Sequence, residues 1–253
     1  MSDDGQFAVD LHVKVLDERV VARAKRRGLD ALVYAPHFTR LPKIRERARR
    51  FSDDELLVIP AREVFTGTWR KRRHLLAVGL TDPVPDFVTL EGALAAFERQ
   101  DAAVLVPHPT YLNVGVTADE LREHRDRVDA VETTNPKHLP HHDRRARRLA
   151  EELSLPPFGS SYAHLPGTVG TVWTTFDREI DDAADLVTAL QDGADRRVHR
   201  RRDGYRRRQA AELAHLLYEN TYEKVDRLFL QGTEPTHPSH IAYDGAFDDV
   251  AVY

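Results

Sequence analysis

Residues 7–37 read FAVDLHVKVLDERVVARAKRRGLDALVYAPH and lay out a strand, a helix and a second strand in 31 residues. The run at 7–13 is apolar enough for a buried strand. In DERVVARAKRRG, Val20, Val21 and Ala24 fall on one helical face, and Gly28 stops the helix. LDALVYA at 29–35 is a second apolar run. Two such runs joined by a helical crossover predict parallel pairing, because parallel strands need a long connection.

The same rhythm continues outward. Further strands are expected at 56–61, 74–79, 102–107, 128–134 and about 157–161. PKIRERARR starts a helix with Pro42 in the tolerated first turn, and Thr117 with Glu120 forms a capping box before the strand at 128. DDAADLVTALQDG from 181 is a further helix, followed by an Arg-rich stretch and then the helical pattern RRQAAELAHLLYENTYEKV, with a looser end from about 231. Buried strands alternating with helices over this length predict an α/β fold of the β/α-barrel type. The expected division is a barrel over residues 1–192 with helices packed on it over 193–253.

Composition narrows the chemistry. The 253 residues and 28.8 kDa are enough to bury about three quarters of the extended surface, so no covalent staple is needed. With no Cys, disulfides, thiolate metal sites and thiol nucleophiles are excluded, which leaves 13 His and the carboxylates for any transition-metal chemistry. A formal charge of -4 identifies no partner. The acidic, polar start and the lack of a long apolar run predict a cytoplasmic protein with no membrane partner.

Polar groups interrupt the ends of the apolar runs. His37, Glu63 and His108 follow LDALVYAP, LLVIPAR and AAVLVP, and Glu132 breaks VDAVETTN. Strand C-termini share one rim in an α/β barrel, so these groups are expected to converge there. Alternation along DLHVK puts Asp10, His12 and Lys14 on one strand face. Imidazole and carboxylate together suit zinc, iron or manganese. Arg62 is expected to point away from Glu63, while Arg40, Arg70 to Arg73, His141 and His142 read as exposed.

In these motifs the chain resembles the PHP family, the polymerase and histidinol phosphatase domain. DLHVK resembles the family's DLHxH, with His12 on the first metal histidine and Lys14 on the second. GLDALVYAPH places His37 on the next histidine. Glu63 in PAREV matches the bridging glutamate, His74 in RHLLAVG the histidine after it, and His108 in VPHP the family's HP motif. SSYAHLPGTVGTVWTTF resembles GSDAH with its following strand, so His164 matches the last histidine while Tyr162 stands where the family has aspartate.

The resemblance implies a distorted seven-stranded β/α barrel, related to the TIM barrel, and hydrolysis of a phosphate ester by attack of metal-bound hydroxide. It implies one or two divalent ions, Mn, Fe or Zn, with His12, His37, Glu63, His74, His108 and His164 as the ligand pool. Lys14 and Tyr162 remove two of the family's ligands. The set standing whole is Glu63, His74 and His108, with a further site from His37 and His164. Lys14 and Glu63 are the expected catalytic groups, Lys14 and Asn135 the substrate contacts, and Asp10 and Tyr162 the supports, with Asp10 orienting His12. The expected substrate is a small phosphorylated molecule or a short nucleic acid.

One feature points elsewhere. Residues 196–208 carry eight Arg and one Asp, and Tyr205 among them could stack on a base. A noncatalytic protein on a degenerate PHP barrel, binding RNA or a protein partner through this tail, is the alternative expectation.

Overall fold

The computed structural model describes residues 6–68, 71–218 and 235–252. Its centre is one nine-stranded sheet. In chain order the strands are β1 Phe7–Val13, β2 Ala31–Tyr34, β3 Leu57–Thr66, β4 Arg73–Val78, β5 Ala103–Val106, β6 Ala130–Thr134, β7 Pro157–Gly159, β8 Val172–Phe176 and β9 Arg196–Arg200. They run β7-β6-β5-β4-β3-β2-β1-β8-β9 across the sheet. The helices are α1 Glu18–Arg26, α2 Leu41–Phe51, α3 Leu90–Glu98, α4 Ala118–Glu123, α5 Pro140–Leu153, α6 Ala183–Gln191 and α7 Tyr205–Tyr218.

The sheet curls into a nearly closed barrel. The end strand β7 comes back to β8, the strand before β9, where the Thr174 hydroxyl accepts from the Gly159 N–H and donates to the Gly159 carbonyl, both at 3.0 Å. A side chain thus satisfies backbone groups that a ladder would otherwise pair. Gly159 is required there, since a Cβ would lie 2.5 Å from Val198 Cγ1 of β9.

The α/β barrel is as expected, with two corrections to its detail. There are nine strands rather than seven: residues 172–176 and 196–200 both join the sheet, the second from a segment expected to be helical. Parallel pairing also breaks at β4, which is antiparallel to both β3 and β5. Six residues separate β3 from β4, too few for a crossover. The pairings β1–β2, β2–β3, β5–β6 and β6–β7 are parallel.

Alternation then sorts the side chains. Val33, Ile59, Ala61, Leu76, Val78 and Leu105 fill the barrel, together with Phe158 and Phe176. The opposite faces of β3 to β5 bury Val64, Leu75, Ala77 and Val104 against α3, α4 and α5. Caps fix the helix starts: Asp17 accepts from Val20 N at α1, and the expected Thr117–Glu120 box closes α4.

The chain's end is tied down rather than loose over residues 235–252. Thr89 N donates to Val250 O at 2.8 Å and Val252 N to Phe87 O at 3.0 Å. Residues 219–225 of the expected last helix, and Arg70, lie outside the described residues. No helix among those described is long and apolar enough to cross a membrane.

Candidate metal centre

The site forms at the strand ends that the apolar runs marked. Glu63 continues the inward row of Ile59 and Ala61 on β3, and His74 the inward row of Leu76 and Val78 on β4. His37 follows β2 and His108 follows β5, the latter at φ +34, a left-handed conformation that turns the chain sharply.

β1 reaches the pocket differently from what plain alternation predicts. Its register against β2 shifts between Asp10 and Val13, so one extra residue is accommodated in a β-bulge. Val9 and Leu11 pack inside the barrel, whereas Ala8 and Val13 pack outside. His12 and Lys14 therefore enter the pocket while Asp10 does not. The Asp10 carboxylate accepts from Ser161 N and Gly170 N, both at 2.9 Å, and burial pushes its pKa up to about 6. Asp10 thus braces the 160–170 segment from behind the pocket, and it also bonds to the His12 backbone.

Glu63 lies at the centre, fully buried. Its two oxygens face different neighbours. Oε2 accepts from Lys14 Nζ, which also donates to Ala35 O at 2.6 Å, and lies 3.0 Å from His37 Nδ1 and 3.8 Å from His12 Nε2. Oε1 lies 3.3 Å from His74 Nδ1 and 3.3 Å from His108 Nε2. Burial raises the Glu63 pKa, but the Lys14 ammonium and the surrounding imidazoles outweigh it and hold the carboxyl well below its ordinary range.

Burial lowers the imidazoles in turn, to about 4 for His74 and about 3 for His37, and well below the usual value for His12 and His164. Lys14 adds to the effect at each. Neutral imidazoles are the form that binds metal.

Glu63, His74 and His108 place one ligand atom each within 4.8 Å of one another. The two 3.3 Å separations match the roughly 3.4 Å expected between ligand atoms about 2.0–2.1 Å from a tetrahedral ion. Both nitrogens of His74, Nδ1 of His108 and both nitrogens of His12 are buried without a hydrogen-bond partner among the described residues. Burying an imidazole unpaired is costly, and a cation beside Glu63 Oε1 would satisfy Nδ1 of His74, the orphaned nitrogen that faces it. The residues present therefore fit a divalent metal.

Tyr162 stands in the middle of the cluster, its ring centroid 4.7 Å from His12, 4.8 Å from His164 and 5.3 Å from His108. It holds a left-handed backbone at φ +44. His164 reaches His37 with 3.3 Å between their Nε2 atoms. All the candidate ligands thus converge, although only three offer the spacing of a metal set among the described residues.

Asn135 is fully buried, with both ends of its amide engaged: Nδ2 donates to Glu132 at 2.9 Å and Oδ1 accepts from Lys137 N at 2.9 Å. Glu132 also accepts from His108 N at 2.7 Å and Ser160 Oγ at 2.6 Å, so it fixes the turn that carries His108. Arg62 points away from Glu63, as alternation requires, and pairs with Asp86 at 3.1 Å.

Two residues escaped sequence reasoning. Lys137 and Glu212 are buried and meet at 3.4 Å beside His164. A Lys two residues past the VETTN strand end carried a weak signal; Glu212 lies in an ordinary amphipathic helix and carried none.

The Arg-rich segment is partly spent on the fold. Arg196 lies 4.9 Å from the Phe176 ring, Arg201 lies 5.1 Å from Trp173, and Arg200 covers Tyr205 at 4.9 Å. The aromatic proposed to stack on a base is thus already stacked.

Residues 140–194 match a family model described as PHP-associated. Among solved structures, PsfC from Pseudomonas syringae PB-5123 is similar at 20% identity and TM-score 0.67, over 83% of this chain and 98% of that one. A two-domain protein from Bacteroides vulgatus containing a predicted PHP-like metal-dependent phosphoesterase is similar at 17% identity and TM-score 0.59, over 82% and 71%. The lesion-specific endonuclease PfuEndoQ from Pyrococcus furiosus is similar at 16% identity and TM-score 0.54, over 76% of this chain but 57% of its own. No curated protein matches the chain. The matched model spans residues 140–194, and the similarity to these solved structures is one of fold.

Proposed function

We propose that the protein is a metal-dependent phosphoesterase working with one divalent ion, held by Glu63, His74 and His108, and with the Lys14 ammonium in the place of a second cation. The observation that carries this reading is the division of Glu63: one oxygen faces two metal-type imidazoles, and the other is bonded to Lys14.

A divalent ion in this triad would supply Lewis acidity and lower the pKa of water. Glu63 would anchor it, while His74 and His108 complete the set on the same side. Lys14 keeps Glu63 ionised and adds a fixed positive charge for the phosphoryl oxygens, worth more in a pocket that excludes water. Tyr162 and the buried histidines supply that exclusion. Mn, Fe and Zn all suit the donors.

The similarity to an endonuclease brings short nucleic acids into the substrate range beside phosphomonoesters. The test is hydrolysis of a panel of p-nitrophenyl phosphate, its bis ester and a short oligonucleotide, after loading with each metal separately. Glu63→Gln should lose on the order of 10² in turnover, while Arg207→Gln on the exposed side of α7 should change it little. Turnover that survives both chelation and Glu63→Gln would contradict the reading.

A further inference from the structure

Helix α7 enters the site although its Arg-rich start gives no hint of it. Glu212 is fully buried. Its Oε1 accepts from His164 N at 3.1 Å, from Leu165 N at 3.3 Å and from the Thr168 hydroxyl. Its Oε2 lies 3.4 Å from Lys137 Nζ. Gln209, three residues earlier and so on the same helix face, donates from Nε2 to the His138 carbonyl at 3.0 Å.

Two side chains of α7 therefore hold the two loops that follow β6 and β7. A buried carboxylate is costly unless every oxygen is used, and this one takes donors only from the wall of the site. Docking a helix by itself requires no such group, since apolar contacts serve.

Lys137 sits between the helix and the pocket. Its Nζ lies 2.6 Å from His164 Nδ1 and 4.2 Å from the Tyr162 ring centroid. Lys14 Nζ lies 5.4 Å from the same ring. Two buried ammonium groups thus flank one aromatic ring beside the metal triad.

We propose that Glu212 is a positioning residue, holding the Lys137 ammonium and the His164 loop so that Lys137 and Lys14 together bind the phosphate group of the substrate. The assignment rests on the phosphoesterase reading and extends it: Lys137 contacts the anion, and Glu212 acts through Lys137 from a helix beyond the barrel strands.

The experiment is calorimetric titration of metal-loaded, full-length protein with inorganic phosphate, alongside KM and kcat for p-nitrophenyl phosphate. Lys137→Met and Glu212→Ala should each weaken phosphate binding and raise KM about tenfold, the usual weight of a charge-assisted contact, with metal content unchanged. Glu212→Gln keeps an acceptor for His164 N and Thr168 but turns an amide NH2 to the Lys137 ammonium, so it should keep the wild-type melting temperature while losing phosphate affinity, which separates the positioning of Lys137 from a simple folding defect. Since Glu212 acts through Lys137, Glu212→Ala in a Lys137→Met background should add less than about twofold.

A full effect of Glu212→Ala in that background would reduce Glu212 to a structural contact and overturn the proposal, as would unchanged phosphate affinity in Lys137→Met. If the variants follow the expected pattern for phosphate but no ester is hydrolysed, this inference stands and the phosphoesterase reading falls. If esters are hydrolysed and the variants leave KM and phosphate affinity unmoved, the reverse holds.

Discussion

Lys14 donates to Oε2 of Glu63, while Oε1 of the same carboxylate faces His74 and His108 at 3.3 Å each. A carboxylate able to bridge two cations therefore has one side taken by a covalently tethered one. An ammonium carries one charge, accepts no ligands and cannot lower the pKa of water as a divalent ion does, so the two sides are not equivalent.

The missing ligands should therefore limit metal loading. Lys14→His with Tyr162→Asp replaces a cation and a phenol by two donors beside His12, and should add about one further equivalent of metal per chain over the wild type. Matched loading followed by elemental analysis measures it. Equal stoichiometry in the two proteins would show that something other than these side chains sets the number of ions.

Removing a ligand from the Oε1 side should act the other way. His74→Ala or His108→Ala should cost metal affinity by at least the 10–100-fold typical of losing even a supporting contact, whereas His164→Ala should cost much less, because His164 Nδ1 lies 2.9 Å from Tyr162 O and 2.6 Å from Lys137 Nζ rather than facing Glu63. Competition against a chelator of known affinity distinguishes the two cases.

Acid should destabilise the metal-free protein in a defined window. His74 and His37 have folded pKa values of about 4 and about 3, depressed mainly by burial, against about 6.5 in an unfolded chain. As pH falls below about 6.5 the unfolded state takes up protons that the folded state refuses, so their contribution is complete above that pH and is lost as pH falls through the folded values. Thermal melts in chelator should show a falling midpoint from about pH 6.5 towards pH 4. A midpoint flat across that range would contradict the burial of neutral imidazoles.

The Arg62–Asp86 pair, 1% exposed on both side chains, ties β3 to the strand-like segment before α3: Asp86 also accepts from Phe65 N at 2.9 Å. Arg62→Ala should cost about 3–5 kcal/mol by stranding a buried charge, whereas Arg62→Met with Asp86→Leu should cost much less. Urea unfolding of the two variants checks this.

Much of the site was legible because its groups break apolar runs. His37, Glu63, His74 and His108 each stand where an inward row meets the pocket, and periodicity alone marks such positions. Asp10 was misread because a bulge changes which residues share a face, and a single inserted residue leaves no trace in a seven-residue strand. Parallel pairing was overestimated because β3 runs on to Thr66, past the expected end at 61, which shortens the connection to β4 below crossover length. β9 was hidden by its composition, since RRVHR lacks the apolar content of an inner strand. Its half-exposed edge position, with Arg196 over Phe176 and His199 stacked on Trp173, supplies the cover instead. Glu212 joins the site only through tertiary placement, 48 positions after His164.

The most direct measurement of the central claim is an anomalous-scattering crystal structure of the Mn-loaded protein at neutral pH. A single metal peak is expected, bounded by Glu63 Oε1, His74 and His108, with Lys14 Nζ still bonded to Oε2. Two peaks straddling the Glu63 carboxylate with Lys14 displaced, or no peak within bonding distance of His74 and His108, would contradict it.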